Sequence, residues 1–506
     1  MVPLSRRSFV KATAAGVGGV TLLGGCDAWP REAVMARAAA NTASFDLLKA
    51  RQTERQGELP QPATHHRLPL PWYQEKVTRI KDEARMRGVD GGILLTSRWN
   101  IIYATGLFHS TTERPFACFL PMDQENACIW LHPYLDEELV KGWWCTDQRS
   151  YFDFPYAEGG FPNRGAVVQG PTRNIYRWWG ETLASLGYGD KVIGVDMGGL
   201  AELGILPGQL TSEALNMTGD VEWPKPSRPE GGSWGEVAAA MPDARFVDVY
   251  DILMRQRIVK DEVETALAQR AMNYFSEIHA FARNYLLERG TDAVDWEVAN
   301  AAMLWGMQRI MKDIPQTGEP HDAVGITVEI SCRTGKATAY PHPNQTFWSP
   351  IQKGDALQIA GVVQLGGYGG ELYRSFLVAP WTDWQAKVWE VHQQSYRLQA
   401  EECRAGNRCS DVARAVHQLQ VDAGMQHLIF HRPGHGEGME GHQPPYHALG
   451  DYTVMVQGMH FSNEPGLYDP ENRFGVNFSD NILVGRERGV QMGTVPDSKE
   501  WCFLEL

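Results

Sequence analysis

Histidines and carboxylates gather in four short segments of the C-terminal half. The first is Ala339-Tyr340-Pro341-His342-Pro343, and the second runs from Gly354-Asp355 through Ala360 to Glu371-Leu372-Tyr373-Arg374. The third is Pro433-Gly434-His435-Gly436-Glu437-Gly438-Met439-Glu440-Gly441-His442. The fourth carries Asn463-Glu464-Pro465-Gly466-Leu467-Tyr468 and then Gly475-Val476-Asn477-Phe478-Ser479-Asp480. Each has a plain reading on its own. His342 between prolines is a turn residue, Glu371 can pair with Arg374, Gly434-His435-Gly436 can be a glycine loop with positive φ, and Glu464-Pro465-Gly466 can be a turn. Brought together, Glu371, Glu464, His342, His435 and His442 make an acid–base or metal site, because histidine exchanges protons near neutrality and glutamates hold cations.

Such a site needs a scaffold. The spacing predicts a charged amphipathic helix over Tyr73 to Arg87, with short apolar strands at Gly91–Thr96, Ala117–Leu120, Ala127–Leu131 and Val192–Asp196. A helix over Tyr176 to Leu186 separates the last two, so the first domain reads as α/β. Near Phe246 the pattern changes. Val259-Lys260-Asp261-Glu262-Val263-Glu264 opens a long helix to about Arg289, a second helix covers Val294 to Met311, strands dominate next, and helices return at Thr382–Ala405 and Ser410–Ala423. Residues 27–65 are rich in Ala, Arg, Gln and Pro and read as a tether or arm.

The chain has 506 residues, 43% hydrophobic and 21% charged, as expected of a globular enzyme of two domains. A net charge of -14 argues against a nucleic-acid partner, which needs a basic face. Ser5-Arg6-Arg7-Ser8-Phe9-Val10-Lys11, then an apolar run from Ala14 to Leu23, form a twin-arginine export pattern. Leu23-Gly24-Gly25-Cys26 resembles a lipobox, so Cys26 is a candidate membrane tether. The chain is therefore expected in the periplasm or anchored there by lipid, with residues 1–26 as signal. The other seven of the eight cysteines show no spacing typical of a disulfide framework or a zinc site. Cys403 and Cys409 could pair, with isolated core thiols as the alternative.

The order and wording of the motifs resemble the creatinase, aminopeptidase P and methionine aminopeptidase superfamily, whose fold is called pita-bread. The resemblance covers Tyr73 to Val484 and is strongest from Phe246 onward. It implies a creatinase-like α/β N-terminal domain over residues 66–245, then an α+β pita-bread catalytic domain over 246–506.

The resemblance also implies a ligand set of Asp, Asp, His, Glu and Glu for two metal ions. Ala360 stands at the first position, Glu371 at the second, His435 and Glu464 at the next two, and Ser479 at the last. Alanine has no donor and a neutral hydroxyl substitutes poorly for a bridging carboxylate, so a two-metal site is not expected. The pattern looks closest to creatinase and ectoine hydrolase. This leads to the expectation of a metal-independent hydrolase, with no cofactor, acting on a C–N bond in a small zwitterionic substrate. His342 would be general base and acid, Glu371 and Glu464 would grip a cationic head, and His435 and His442 would bind or polarise the attacked group. Arg114, in a loop similar to one of creatinase, would clamp a substrate carboxylate from the partner subunit of a homodimer, with Arg333 a second candidate. One alternative is a single divalent metal on Glu371, His435 and Glu464, serving an Xaa-Pro-type peptidase or a dimethylsulfoniopropionate-type lyase. Another is a non-catalytic binding protein for small molecules or peptides.

Overall fold

The computed structural model describes residues 32–152, 174–197, 223–317, 323–342 and 348–506. The twin-arginine pattern and Cys26 lie outside them. Six strands make the first sheet: β1 (Gly92–Leu95), β2 (Ala117–Pro121), β3 (Ile129–Pro133), β4 (Asp147–Tyr151), β5 (Val192–Val195) and β6 (Arg245–Asp248), in the order β4-β3-β2-β1-β5-β6. Every residue of β1 is buried, because both faces of the sheet are covered. Ile93 and Leu95 join the core shared with the C-terminal half, and Leu94 faces a separate core with Phe119, Trp179 and Phe246.

The C-terminal half is α+β. Strands β7 (Thr327–Thr334), β8 (Ala356–Leu365), β9 (Tyr368–Glu371), β10 (Arg374–Val378) and later β18 (Phe503–Leu504) form one half-sheet. Strands β11 (Gly434–Gly436), β12 (Gln443–His447), β13 (His460–Asn463), β16 (Asn481–Leu483) and β17 (Val490–Gln491) form the other, beside a ribbon of β14 (Leu467–Asp469) and β15 (Phe474–Val476). The halves meet at a bridge, where Tyr373 N–H donates to Ser479 O (3.0 Å) and Ser479 N–H donates back (3.3 Å).

The Lys-Asp-Glu-Val-Glu motif is a capping box. Asp261 accepts from the N–H groups of Val263 and Glu264 while Glu264 accepts from Asp261 N–H, which starts the Glu262–Arg289 helix. Leu267, Ala271, Phe275, Ile278, Ala282 and Leu286 recur at helical spacing along its buried side. The same cap joins the two halves of the chain, since Trp72 donates to Asp261 and Lys76 reaches both Asp261 and Glu264. The segment read as a tether or arm forms, from Glu32, two helices (Glu32–Ala40 and Ala43–Glu54) laid on that long helix.

Arg374 is buried at the joint between the half-sheets. Its guanidinium donates to the carbonyls of Tyr373 (2.7 Å), Ser479 (3.0 Å), Val495 (2.7 Å) and Pro496 (3.2 Å), and lies 3.5 Å from Asp480. It does not pair with Glu371, which lies three residues earlier and on the opposite face of the strand. Replacing Arg374 with Leu leaves Asp480 a buried, uncompensated charge, and chemical denaturation should show a loss of about 3–5 kcal/mol; a loss under ~1 kcal/mol would contradict this account.

Three buried histidines brace the same region. His279 bonds Leu372 O (3.0 Å), His392 bonds Pro465 O (3.0 Å) and accepts from Phe478 N–H (2.7 Å), and His447 meets the Gln399 amide (2.8 Å). Burial holds each near 3, against an ordinary value of 6.5. The unfolded chain therefore binds protons that the folded chain refuses. The stability they contribute is complete above pH 6.5 and is lost as pH falls toward 3, with a slope of up to about 1.4 kcal/mol per pH unit per histidine. Thermal melting across this range should fall steadily, and His392→Gln should flatten the fall.

Candidate functional site

The site opens where the half-sheets meet. Glu371 ends β9 opposite Val362, and the register on either side places Ala360 opposite Tyr373. Ser479, bridged to Tyr373, lies on the other half-sheet. Ala360 contributes only a methyl group, and the Ser479 hydroxyl is engaged with Ser462 Oγ (2.7 Å). Ser462 in turn donates to Glu371 Oε2 (3.1 Å). The two positions that depart from the two-metal pattern are therefore filled and satisfied without carboxylates.

The remaining donors converge. His435, with none of its side chain exposed, puts Nε2 3.4 Å from Glu464 Oε1 and 3.7 Å from Glu371 Oε2. His442 Nε2 lies 3.6 Å from Glu371 Oε1, and its ring stacks on His435 with centroids 3.6 Å apart. His442 keeps 47% of its side chain exposed, so the group opens to solvent on that side. Glycines flank His435 because the strands approach closely: a Cβ on Gly434 would come within 2.3 Å of Ser462 O, and one on Gly436 within 2.6 Å of Gln443 O. Neither glycine has the positive φ of a loop.

The electrostatics follow from crowding carboxyls in a buried place. Burial disfavours the charged form of Glu371, but the His435 and His442 imidazoles outweigh it and hold the carboxyl well below the usual range. Glu464 is pushed up by burial and by the Glu371 charge, with Arg432 offsetting part. Glu437 is pushed up by burial and by Glu371, with Lys260 opposing.

His435 Nε2 is a buried polar atom without a hydrogen-bond partner, aimed at two carboxylates. Glu371, His435 and His442 each offer one ligand atom, and these atoms all lie within 4.8 Å of one another. Two imidazoles and a carboxylate suit one divalent transition metal, with Glu464 beside them. The expectation of no metal is overturned here. It counted the losses at Ala360 and Ser479, but did not see that the β11–β12 hairpin returns His442 to Glu371. The metal set considered from sequence, Glu371, His435 and Glu464, gains His442.

The other candidates lie further out. His342 is exposed on a bend, beyond the Glu371–His435–His442 group, and acts electrostatically on His431, whose Nε2 meets Tyr468 OH (3.0 Å). Arg333, on β7, donates to the carbonyls of Tyr340 (3.4 Å) and Pro341 (3.1 Å), while its Nε is buried without a hydrogen-bond partner. Arg333 also lies close enough to Glu371 to feel its charge. Arg114 pairs with Glu113 (2.8 Å). Sequence reading assigned no role to Ser462, Tyr373 or Glu437. Strand periodicity places Ser462 two residues before Glu464 and Tyr373 two after Glu371, and so could have drawn attention to both.

Residues 266–486 match metallopeptidase family M24. The probable dipeptidase PepE of Mycobacterium tuberculosis is 28% identical over 252 residues, covering 49% of this chain and 61% of its own length. The creatinase of Bacillus sp. is 23% identical over 432 residues, covering 82% of this chain and 88% of its own. The crystal structure of a prolidase from Thermococcus sibiricus superposes with a TM-score of 0.61 at 18% identity, over 85% of this chain and 99% of that one. The chain belongs to the creatinase, aminopeptidase P and methionine aminopeptidase superfamily, with an N-terminal domain ahead of a pita-bread domain. The metallopeptidase match and the donor group together replace the metal-independent, cofactor-free reading.

His435 touches each other member of the group, Glu371, Glu464 and His442, so His435→Ala should cut bound divalent metal from near one per chain by at least ~10-fold at equal free metal. Elemental analysis with circular dichroism as a folding control tests this; retained stoichiometry would remove His435 from the ligand set.

Proposed function

We propose that this protein is a metal-dependent dipeptidase that uses one divalent ion to hydrolyse the amide C–N bond of short peptides of the Xaa-Pro type. The observation that carries the reading is the Glu371–His435–His442 group around the unpartnered His435 Nε2. Relatives with peptidase names support the bond class, and the small zwitterion expected from the sequence becomes a dipeptide. Glu371, His435 and His442 would hold the ion, with Glu464 alongside; when bound, it supplies Lewis acidity.

The chain's own groups supply the rest. Glu371, kept anionic and oriented by Ser462, fixes the negative charge of the group. Burial and the Glu371 charge favour the neutral form of Glu464 in the metal-free state. Arg333 presents a guanidinium edge for a substrate carboxylate. His342 serves as proton carrier at the rim, at the end of the His431–Tyr468 pair. In the net reaction, the hydroxyl of water joins the carbonyl carbon, the C–N bond breaks and the leaving nitrogen takes the proton.

Purified protein should hydrolyse Xaa-Pro dipeptides with one equivalent of divalent metal, lose activity to a chelator and regain it on metal return. Glu371→Gln should lower kcat at least ~100-fold, and His342→Ala should lower kcat while ligand binding persists. Turnover that survives chelation, or an active Glu371→Gln, would overturn the metal assignment. Unchanged turnover in His342→Ala would remove His342 from the proton path.

A further inference from the structure

A second cluster of reactive side chains lies far from this cleft, in the six-stranded sheet. Cys118, on β2, and Cys128, just before β3, are both fully buried, and their sulfurs stand 3.2 Å apart. We propose that Cys118 and Cys128 form an oxidisable dithiol site that closes to a disulfide in exchange with a small disulfide such as oxidised glutathione.

Three observations carry it. First, the placement is built into the pairing of β2 with β3, where Cys118 lies opposite Trp130, two residues beyond Cys128. A disulfide spans about 2.05 Å, so the sulfurs need approach by a little over 1 Å. Second, Cys128 follows an exposed turn, with Asp123, Gln124, Glu125 and Asn126 all in solvent. Opening that turn gives an oxidant access that the folded core denies. Third, the Lys81 ammonium is anchored on the carbonyls of Gln124 (2.9 Å) and Glu125 (3.3 Å) beside both thiols, where its charge offsets part of the burial that pushes the Cys128 thiol well up, so exchange needs the turn open. Cys145, half-buried and directed at Asp147 O (3.6 Å), is the competing thiol.

The chemistry balances. One thiolate attacks the glutathione disulfide and releases one glutathione. The second protein thiol displaces the other glutathione from the mixed disulfide. Two thiols are oxidised, one disulfide is reduced, and two glutathione molecules leave with the protons. The crosslink would close a short loop and tie β2 to β3 directly after the segment that carries Arg114 and Phe116. Phe116 stacks on His109 (4.3 Å) and packs on Trp130 (5.6 Å), so that segment is already fastened to the same strand pair.

The full chain should be incubated folded, and in parallel refolded from denaturant, in a mixture of reduced and oxidised glutathione. Both samples are then denatured, alkylated and weighed. The expected result, in at least the refolded arm, is a species with two fewer alkyl groups and a mass lower by about 2 Da than its reduced form before alkylation. Its peptide map links Cys118 to Cys128, and melting rises by a few degrees in a manner that a reductant reverses. Cys118→Ser and Cys128→Ser should each abolish the species. Full alkylation of both cysteines in both arms, stable glutathione adducts, or a link through Cys145 would each overturn the proposal.

Discussion

Everything in the C-terminal half hangs on the burial of Arg374. An arginine out of water needs its donors filled, and this one is filled by carbonyls from both half-sheets, a tyrosine hydroxyl and the nearby Asp480 carboxylate. Those carbonyls include both members of the Tyr373–Ser479 bridge. Glu371 lies just before Tyr373, and Ser479 follows the segment that carries Glu464. The guanidinium thus sets the distance across which the donors face each other. His279 and His392 brace the same strands from behind, at Leu372, Pro465 and Phe478.

Against that frame, the charge balance of the cleft explains the altered ligand set. Two further carboxylates at positions 360 and 479 would require more positive charge than one ion brings. With Ala360 and Ser479 there, the acidic groups reduce to Glu371, Glu464 and the deeper Glu437. Two imidazoles, the Lys260 ammonium and the Arg333 guanidinium stand near them. Glu437 and Glu464 are pushed toward the neutral form, while Glu371 remains the anion. The arrangement suits one cation rather than two.

Much of this was legible in the sequence. The Asp261–Glu264 capping box, the helix to Arg289 and the buried strands β1 and β2 follow from local rules of periodicity and capping, whereas the boundary read near Phe246 falls within β6 of the first sheet. The grouping of Glu371, His435 and Glu464 follows instead from the resemblance in motif order. What escaped was set by contacts distant along the chain. His442 reads as a substrate-binding residue, and only the hairpin that stacks it on His435 beside Glu371 shows it as a candidate metal donor. Arg374 reads as a partner for Glu371 until the pleat turns it to Asp480. The glycines around His435 look like conformational permits, yet are required by the nearness of neighbouring strands.

The two N-terminal helices have a consequence for the order of events during synthesis. Ser44 is seated by Arg283 and Asn284, Gln52 by Thr494, and Arg55 by the carbonyls of Gln491 and Gly493. The ribosome makes these helices long before the residues that receive them. Their full seating must wait while more than four hundred residues are translated. Their seating is therefore a mark of completion: a chain truncated before Gln491 lacks part of the surface that holds them, and the arm distinguishes finished protein from fragment.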